Sequence, residues 1–126
     1  RSGERRGVLE YRLANNLRTE FYTSLAKLLK SVDVLATPTM AVEPHSDEKI
    51  PTEINGVAIP MKHGTSLAWP FNLTGNPVAS VPSGLTKKGL PTGVQIIGPR
   101  FGDDIVLSVA GALEKTRPWI QNYPEY

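Results

Sequence analysis

Residues 69–98 read WPFNLTGNPVASVPSGLTKKGLPTGVQIIG, and this stretch decides the fold. It predicts the end of a helix, a strand at 78–82, a turn, and a strand at 93–98. Gly75 is expected to end the helix, because glycine readily adopts the left-handed conformation found at helix C termini. Asn76-Pro77 then prevents the helix from continuing. The short connection between the two strands predicts an antiparallel pair.

The start of that helix is less sharply marked in the sequence. Thr65 or Ser66 is predicted to cap a helix that runs to about Thr74, because a hydroxyl there accepts a backbone N–H. Pro70 must then lie in the first turn or kink the helix.

Two further helices are predicted on either side of this stretch. Apolar residues spaced three or four apart over residues 8–32 predict a long amphipathic helix with one apolar stripe. The stripe consists of Leu9, Leu13, Leu17, Phe21, Leu25, Leu28 and Val32. Asp103 or Asp104 is predicted to cap the last helix, which ends before Pro118. Its apolar face consists of Ile105, Val106, Val109, Ala110 and Leu113.

Between the first two helices, residues 33–39 form a short apolar run that ends at a proline, as a buried strand does. Residues 40–63 carry prolines, charges and little periodicity, and are interpreted as a long surface loop. A short extended piece is predicted at 54–59, around Asn55-Gly56. A loop of this length in a compact domain is more often functional than incidental.

The predicted order is helix, strand, long loop, helix, strand, strand, helix. This order predicts an α/β fold with helices packed on a mixed β-sheet. The strands at 78–82 and 93–98 are expected to be buried on both faces. Three strands make a narrow sheet, so residues 1–126 are interpreted as a single domain or as a fragment with an incomplete sheet.

The composition is that of an ordinary globular protein, and it excludes several classes of function. The 126 residues fit one domain, and a formal charge of +2 is too small to imply a nucleic-acid partner. The absence of cysteine excludes disulfides and a thiolate nucleophile and fits a cytoplasmic location. No apolar run approaches the ~20 residues that span a bilayer, so no membrane association is predicted. No cofactor is predicted either.

Serine and histidine residues are the candidates for nucleophilic catalysis: Ser66, Ser80, Ser83, His45 and His63. A serine hydroxyl needs a base within hydrogen-bond reach, and no nucleophile-elbow motif is present. Ser80 falls in a predicted buried strand, and Lys62 precedes the predicted cap at Ser66. No catalytic residue is therefore predicted.

Metal binding is not predicted either. The two histidines lie far apart in the sequence and show no recognised ligand spacing with the acidic residues near the first of them. Those residues are Glu43, Asp47, Glu48 and Glu53, and they are interpreted as a solvated loop.

Three blocks and their order resemble the amidase signature family: Asp33–Thr39, Pro70–Gly84 and Gly89–Gly98, with Arg100-Phe101 leading into the last helix. The resemblance covers most of residues 8–119. It implies a parent enzyme that hydrolyses amides, or transfers ammonia from them, by a Ser-Ser-Lys mechanism acting on a small-molecule amide. The residues of that mechanism have no counterpart here, so the resemblance implies the C-terminal scaffold part of the fold, without catalytic residues.

The resemblance also suggests a substrate pocket formed by Thr65, Trp69 and Phe71, although a core role is favoured for the two aromatic residues. Members that use glutamine carry an acidic residue near the Thr65 position, so threonine there favours a general amidase. The alternative is part of a glutamyl-tRNA(Gln) amidotransferase A subunit that docks tRNA or a partner protein. Exposed strand edges and the helix at 8–32 also predict self-association of the fragment.

Overall fold

The computed structural model describes residues 6–46, 48, 51–59 and 67–119. Its elements are helix α1 (Val8–Leu28), strands β1 (Leu35–Pro38), β2 (Glu53–Ile54) and β3 (Val57–Ala58), helix α2 (Trp69–Thr74), strands β4 (Val78–Leu85) and β5 (Pro91–Ile97), and helix α3 (Asp103–Thr116).

The main sheet has three strands in the order β1-β5-β4. β5 lies in the centre and is antiparallel to both neighbours, which confirms the predicted β4–β5 hairpin. The α/β arrangement of helices on a narrow, three-stranded sheet is also confirmed. Both pairings are antiparallel, so the parallel pairing that a mixed sheet implies does not occur among the strands described.

Each face of the sheet carries its own apolar cluster. On one face, Val81 and Ile96 pack with Val106 of α3, and all three are buried. On the other face, Ile97 packs with Phe71 of α2 and with the C-terminal end of α1. Side chains alternate between the two faces of a strand, so neighbouring Ile96 and Ile97 serve different clusters.

The burial of the two hairpin strands differs from the sequence prediction. Gln95, Ile96 and Ile97 of β5 are buried, as predicted for a strand covered on both faces. The same prediction is wrong for the strand at 78–82, where Val78, Ser80 and Pro82 are exposed. The physical reason is position, because β5 has a neighbour on each side whereas β4 pairs with β5 alone in the described sheet.

Helix α1 is shorter than the predicted 8–32 and ends at Leu28. The N–H and the hydroxyl of Ser31 both donate to the Leu28 carbonyl, at 3.0 and 2.8 Å, and so tighten and close the last turn. Val32 consequently lies outside the helix.

The apolar stripe of α1 is mostly not buried. Leu25 is 6% exposed, whereas Leu9 is 73% and Leu17 is 64% exposed. Periodicity predicted the stripe correctly, but within the described part of the chain only the C-terminal end of α1 joins a buried cluster. The N-terminal turns of α1 present an apolar stripe to solvent.

The starts of α2 and α3 correct two predictions. α2 begins at Trp69 after Ala68, so the helix does not begin at a Thr65 or Ser66 cap; those two residues lie outside the described part of the chain. Pro70 lies in the first turn, as required. The cap of α3 is Gly102, and Asp103 and Asp104 make no side-chain cap bond. Both carboxylates instead lie in the first turn, where the helix dipole favours negative charge.

The predicted ends of these helices are confirmed. Gly75 closes α2 with φ 67°, and its N–H donates to the Phe71 carbonyl at 2.9 Å. α3 ends at Thr116, before Pro118.

The extended piece predicted in the long loop is the β2–β3 hairpin. Asn55 and Gly56 both have positive φ, 50° and 77°, which is the geometry of a tight two-residue hairpin turn. Ile59 N–H donates to the Thr52 carbonyl at 2.8 Å and extends the pairing. Across the described residues no helix is both long enough and apolar enough to cross a membrane.

The close approach of β5 to α3 gives the first testable prediction. A Cβ atom on Gly98 would lie 2.5 Å from Cγ2 of Val106, so Gly98→Ala is expected to lower the free energy of unfolding by about 1–3 kcal/mol. Gly111, inside α3, has no atom within 4 Å of its own added Cβ. Gly111→Ala should therefore raise the free energy of unfolding, by about 0.5–1 kcal/mol. Urea denaturation measures both variants, and equal effects would contradict the packing described.

Candidate functional site

The α2 face of the sheet changes from apolar to polar along β5. Ile97 belongs to the apolar cluster, whereas Gln95 and Gly93 follow on the same face at intervals of two residues. Beside Gly93, the hydroxyls of Thr39 and Ser80 lie 2.7 Å apart and form a hydrogen bond across β5. A Cβ atom on Gly93 would lie 3.0 Å from the Thr39 hydroxyl oxygen. Glycine therefore leaves room for this bridge between the outer strands.

Gln95 is the buried polar side chain that β5 contributes to this face, at 1% exposure. Its Nε2 has two N–H groups, which three acceptors share: the Thr37 hydroxyl at 2.8 Å, the Leu67 carbonyl at 3.0 Å and the Pro38 carbonyl at 3.2 Å. Because a carbonyl oxygen only accepts hydrogen bonds, the end of the amide that faces two carbonyls is the nitrogen. The other end, Oε1, is buried and has no hydrogen-bond partner among the described residues.

The three predicted pocket residues fall in different environments. Phe71 is 7% exposed and packs against Leu25, Leu29 and Ile97. Trp69 is 55% exposed in the first turn of α2. Thr65 lies outside the described residues. Gln95 was not among the site residues predicted from the sequence. The signal that could have identified it is that it is the single carboxamide inside the apolar run at 94–97.

An open cleft of about 700 Å³ lies between the chain after β1 and the β4–β5 hairpin. It includes two of the candidates for nucleophilic catalysis, His45 and Ser83. The imidazole Nδ1 of His45 lies 3.1 Å from the Ser46 carbonyl, which makes this nitrogen the donor. The hydroxyl of Ser83 bonds to the hydroxyl of Thr92 at 3.0 Å. The structure therefore places both residues along one cleft, each with a different partner.

The serine hydroxyls of the described sheet are paired with hydroxyls rather than with bases. Ser80 bonds to Thr39 and Ser83 to Thr92. Thr92 donates onward to the Gly84 carbonyl, and neither threonine hydroxyl bonds to a basic side chain among the described residues, so neither pair has the base that an activated nucleophile needs. Ser66, His63 and Lys62 lie outside the described residues.

The acidic residues do not form a carboxylate cluster in the described parts of the chain. Glu43 pairs with Lys88 at 3.4 Å, and Glu48 and Glu53 are exposed. Asp47 lies outside the described residues. No group of three histidine, aspartate or glutamate side chains suited to a metal ion occurs among the residues that the structure describes.

One carboxyl has a perturbed pKa, at the start of α1. The N–H of Gly7 donates to Glu10 at 3.0 Å and Arg6 donates to it at 2.8 Å, and these contacts lower the pKa of Glu10. The carboxylate thus stabilises the first turn at a pH above its ordinary pKa. This contribution is lost as the pH falls through the lowered pKa.

A proton titration followed by NMR is expected to give a pKa of Glu10 below its ordinary value. Arg6→Gln should raise that pKa only in part, because the larger cause, the Gly7 N–H, remains. A pKa at or above the ordinary value would contradict this geometry.

Comparison with known proteins identifies the class. The family model described as Amidase matches residues 3–107, so the chain belongs to the amidase family. The resemblance found in the sequence blocks is thereby confirmed.

Individual relatives fall into two groups. "Putative amidase AmiD" of Mycobacterium tuberculosis (strain ATCC 25618 / H37Rv) is 29% identical over 126 residues, which are 98% of this chain and 26% of that protein. The A subunit of glutamyl-tRNA(Gln) amidotransferase from Thermodesulfovibrio yellowstonii is 34% identical over 90% of this chain and 23% of that protein. The chain thus spans about a quarter of the length of these curated relatives.

The fold agrees with this assignment. The crystal structure of a bacterial aryl acylamidase of the amidase signature family matches 97% of this chain with a TM-score of 0.86 and 33% identity. The match covers 26% of that chain. The described architecture is therefore part of the amidase signature fold.

Proposed function

We propose that this chain is the C-terminal scaffold part of an amidase that hydrolyses carbon–nitrogen bonds of small-molecule amides. In this proposal a Ser-Ser-Lys group outside residues 1–126 performs the chemistry. The observation that carries the proposal is the match to the aryl acylamidase, which covers nearly all of this chain and 26% of that one. The serine hydroxyls of the described sheet support it, since Ser80 and Ser83 bond to threonines.

The α1 stripe supplies independent support. Leu9, Leu13 and Leu17 are 73%, 55% and 64% exposed, although each leucine contributes about 1.5–3 kcal/mol when fully buried. An amphipathic helix gains its stability in proteins mainly by packing its apolar face. In this proposal the stripe packs against the remainder of the amidase domain and, in its absence, against another copy.

In this scaffold the α2 region forms one wall of the substrate pocket. Trp69 lies at the exposed start of α2, and Phe71 holds the helix to the core from the other side. We assign the acyl-pocket wall to Thr65 and Trp69, with Phe71 as their support. A wall without an acidic residue favours general amide substrates over glutamine.

The experiment compares this chain with the full-length amidase that contains it, using simple aliphatic and aryl amides. The full-length enzyme is expected to release ammonia or amine, whereas this chain alone should release none. Turnover by this chain alone would contradict the proposal, as would an inactive full-length protein toward every amide tested.

A second candidate is the A subunit of a glutamine-dependent aminoacyl-tRNA amidotransferase. The 34% identity to the Thermodesulfovibrio yellowstonii protein favours it. Arg12 and Arg18 of α1 are exposed and offer a basic surface for tRNA. This candidate predicts binding of tRNA that weakens steeply as salt rises. No binding at low ionic strength, together with no glutaminase activity of the full-length protein, rejects it.

Self-association of the isolated chain is a further expected result. The stripe should bring copies together, and Leu13→Glu with Leu17→Glu should shift the sedimentation coefficient toward that of the monomer, because charges in the contact oppose burial. Leu107→Glu is the matched control, since Leu107 is 67% exposed on α3 and lies away from the stripe. A monomeric wild-type chain at every concentration would contradict the expectation.

A further inference from the structure

The buried carboxamide of Gln95 joins the central strand to the chain that leads into α2. Its Nε2 donates to the Leu67 carbonyl at 3.0 Å, and the Leu67 N–H donates to the Thr39 carbonyl at 3.0 Å. Both backbone groups of Leu67 are therefore bonded to the sheet or to the residue that follows β1. This attachment lies two residues before Trp69.

The other side of the same turn is also fixed. The N–H groups of Phe71 and Asn72 donate to the Ala68 carbonyl at 3.2 and 3.1 Å, and Phe71 is 7% exposed in the core. Trp69 thus lies between an anchor at Leu67 and an anchor at Phe71. The Phe71 anchor is apolar packing, whereas the Leu67 anchor is a hydrogen-bonded carboxamide.

If this side chain served only to fill the core, a carboxamide would be less stable there than an apolar side chain. Oε1 of Gln95 is buried with no partner among the described residues, and a buried acceptor without a hydrogen bond lowers the stability of the fold. A methionine would fill a similar volume without that cost. Unlike methionine, the carboxamide forms directional hydrogen bonds. Its N–H groups connect the Pro38 carbonyl of β1 to the Leu67 carbonyl, which lies just before α2.

We propose that Gln95 is a positioning residue for the substrate pocket: it fixes the backbone at Leu67 and thereby the orientation of Trp69. The expected effect of Gln95 on substrate binding rests on the proposed function. The expected effect of Gln95 on the orientation of Trp69 does not. Gln95 does not touch the reacting atoms; it acts through Leu67.

The first arm of the test uses this chain alone, in a Trp119→Phe background so that Trp69 is the remaining tryptophan. Gln95→Met is expected to increase the amplitude of subnanosecond indole motion in time-resolved fluorescence anisotropy. Thr37→Val removes one partner of the carboxamide at 2.8 Å and should give a smaller increase in a folded protein. This second variant gives the answer if Gln95→Met does not fold.

Asn76→Leu is the matched control. Asn76 is a second carboxamide whose Nδ2 donates to a backbone carbonyl, that of Gly98, at 2.7 Å, and whose Oδ1 is buried without a partner among the described residues. It lies at the other end of the sheet face, after α2. Its loss should lower stability while leaving the Trp69 anisotropy unchanged.

The second arm uses the full-length amidase and steady-state kinetics. Gln95→Met should raise KM for an amide substrate by about tenfold, the scale of one misplaced contact, with kcat nearly unchanged. Asn76→Leu should alter neither constant. Unchanged Trp69 anisotropy in both Gln95→Met and Thr37→Val overturns the positioning role. If the Trp69 anisotropy changes but KM does not, Trp69 lies outside the substrate pocket and the inferred effect on substrate binding is overturned. If the wild-type full-length enzyme is itself inactive, only the proposed function is overturned.

Discussion

Ile97→Ala is expected to lower the free energy of unfolding by about 2–5 kcal/mol, the range for deleting a buried aliphatic side chain. Ile97 is 0% exposed and lies on the central strand, paired with Leu35 of β1 and Val78 of β4. Its side chain joins Phe71 to the C-terminal end of α1. The substitution therefore opens a cavity where the sheet and two helices meet.

Urea denaturation followed by circular dichroism measures this loss. Leu107→Ala is the control, because Leu107 is 67% exposed on α3 and should change stability by only about 0.5 kcal/mol or less. Equal losses for the two variants would contradict the assignment of Ile97 to the core.

Arg100→Met is expected to lower the free energy of unfolding by about 1.5–3 kcal/mol, the contribution of a hydrogen bond that involves a charged group. Nε and Nη2 of Arg100 both donate to the Thr74 carbonyl, at 3.0 and 2.8 Å, and so hold the C-terminal end of α2. The guanidinium also lies 4.0 Å from the centroid of the Tyr22 ring on α1. One side chain thus ties two helices to the loop that precedes α3.

Thermal unfolding of four variants separates these contributions: Arg100→Met, Arg100→Lys, Tyr22→Leu and the double variant Arg100→Met/Tyr22→Leu. Arg100→Lys keeps the charge but loses the forked geometry, so its stability should fall between wild type and Arg100→Met. A double-mutant cycle with Tyr22→Leu should give a coupling of about 0.5–1 kcal/mol for the cation–π contact. Wild-type stability in Arg100→Met, or no coupling to Tyr22, would contradict the contacts described.

Local signals predicted local structure well. Gly75 ends α2 in the left-handed conformation, and Asn55-Gly56 forms the tight turn of a hairpin, because few residues other than glycine and asparagine adopt those angles easily. The short linker after β4 likewise predicted the antiparallel pair with β5.

Features that depend on distant parts of the molecule were not predictable in the same way. Periodicity shows that α1 has an apolar stripe, but not what covers it, and Leu9 and Leu17 are largely exposed. Asp103 and Asp104 fit the composition of a cap, yet Gly102 takes that position. The periodicity of the sequence does not predict the role of Gln95, because its hydrogen-bond partners lie far away in the sequence, in β1 and at Leu67.

The candidate site was predictable only through the family. The sequence blocks identified the amidase family, which the family model confirms over residues 3–107. The pocket role of Thr65, Trp69 and Phe71 remains a prediction, as do the single-domain interpretation of residues 1–126 and the cytoplasmic location.

The central claim is that the nucleophile of the parent amidase lies outside this chain. A fluorophosphonate probe, which labels activated serines, tests it most directly when followed by peptide mass spectrometry. In the full-length amidase the probe is expected to label a serine outside residues 1–126. This chain alone should remain unlabelled, because the threonines that pair with the serines of its described sheet bond to no base. Labelling of Ser66, Ser80 or Ser83 in either protein would contradict the account.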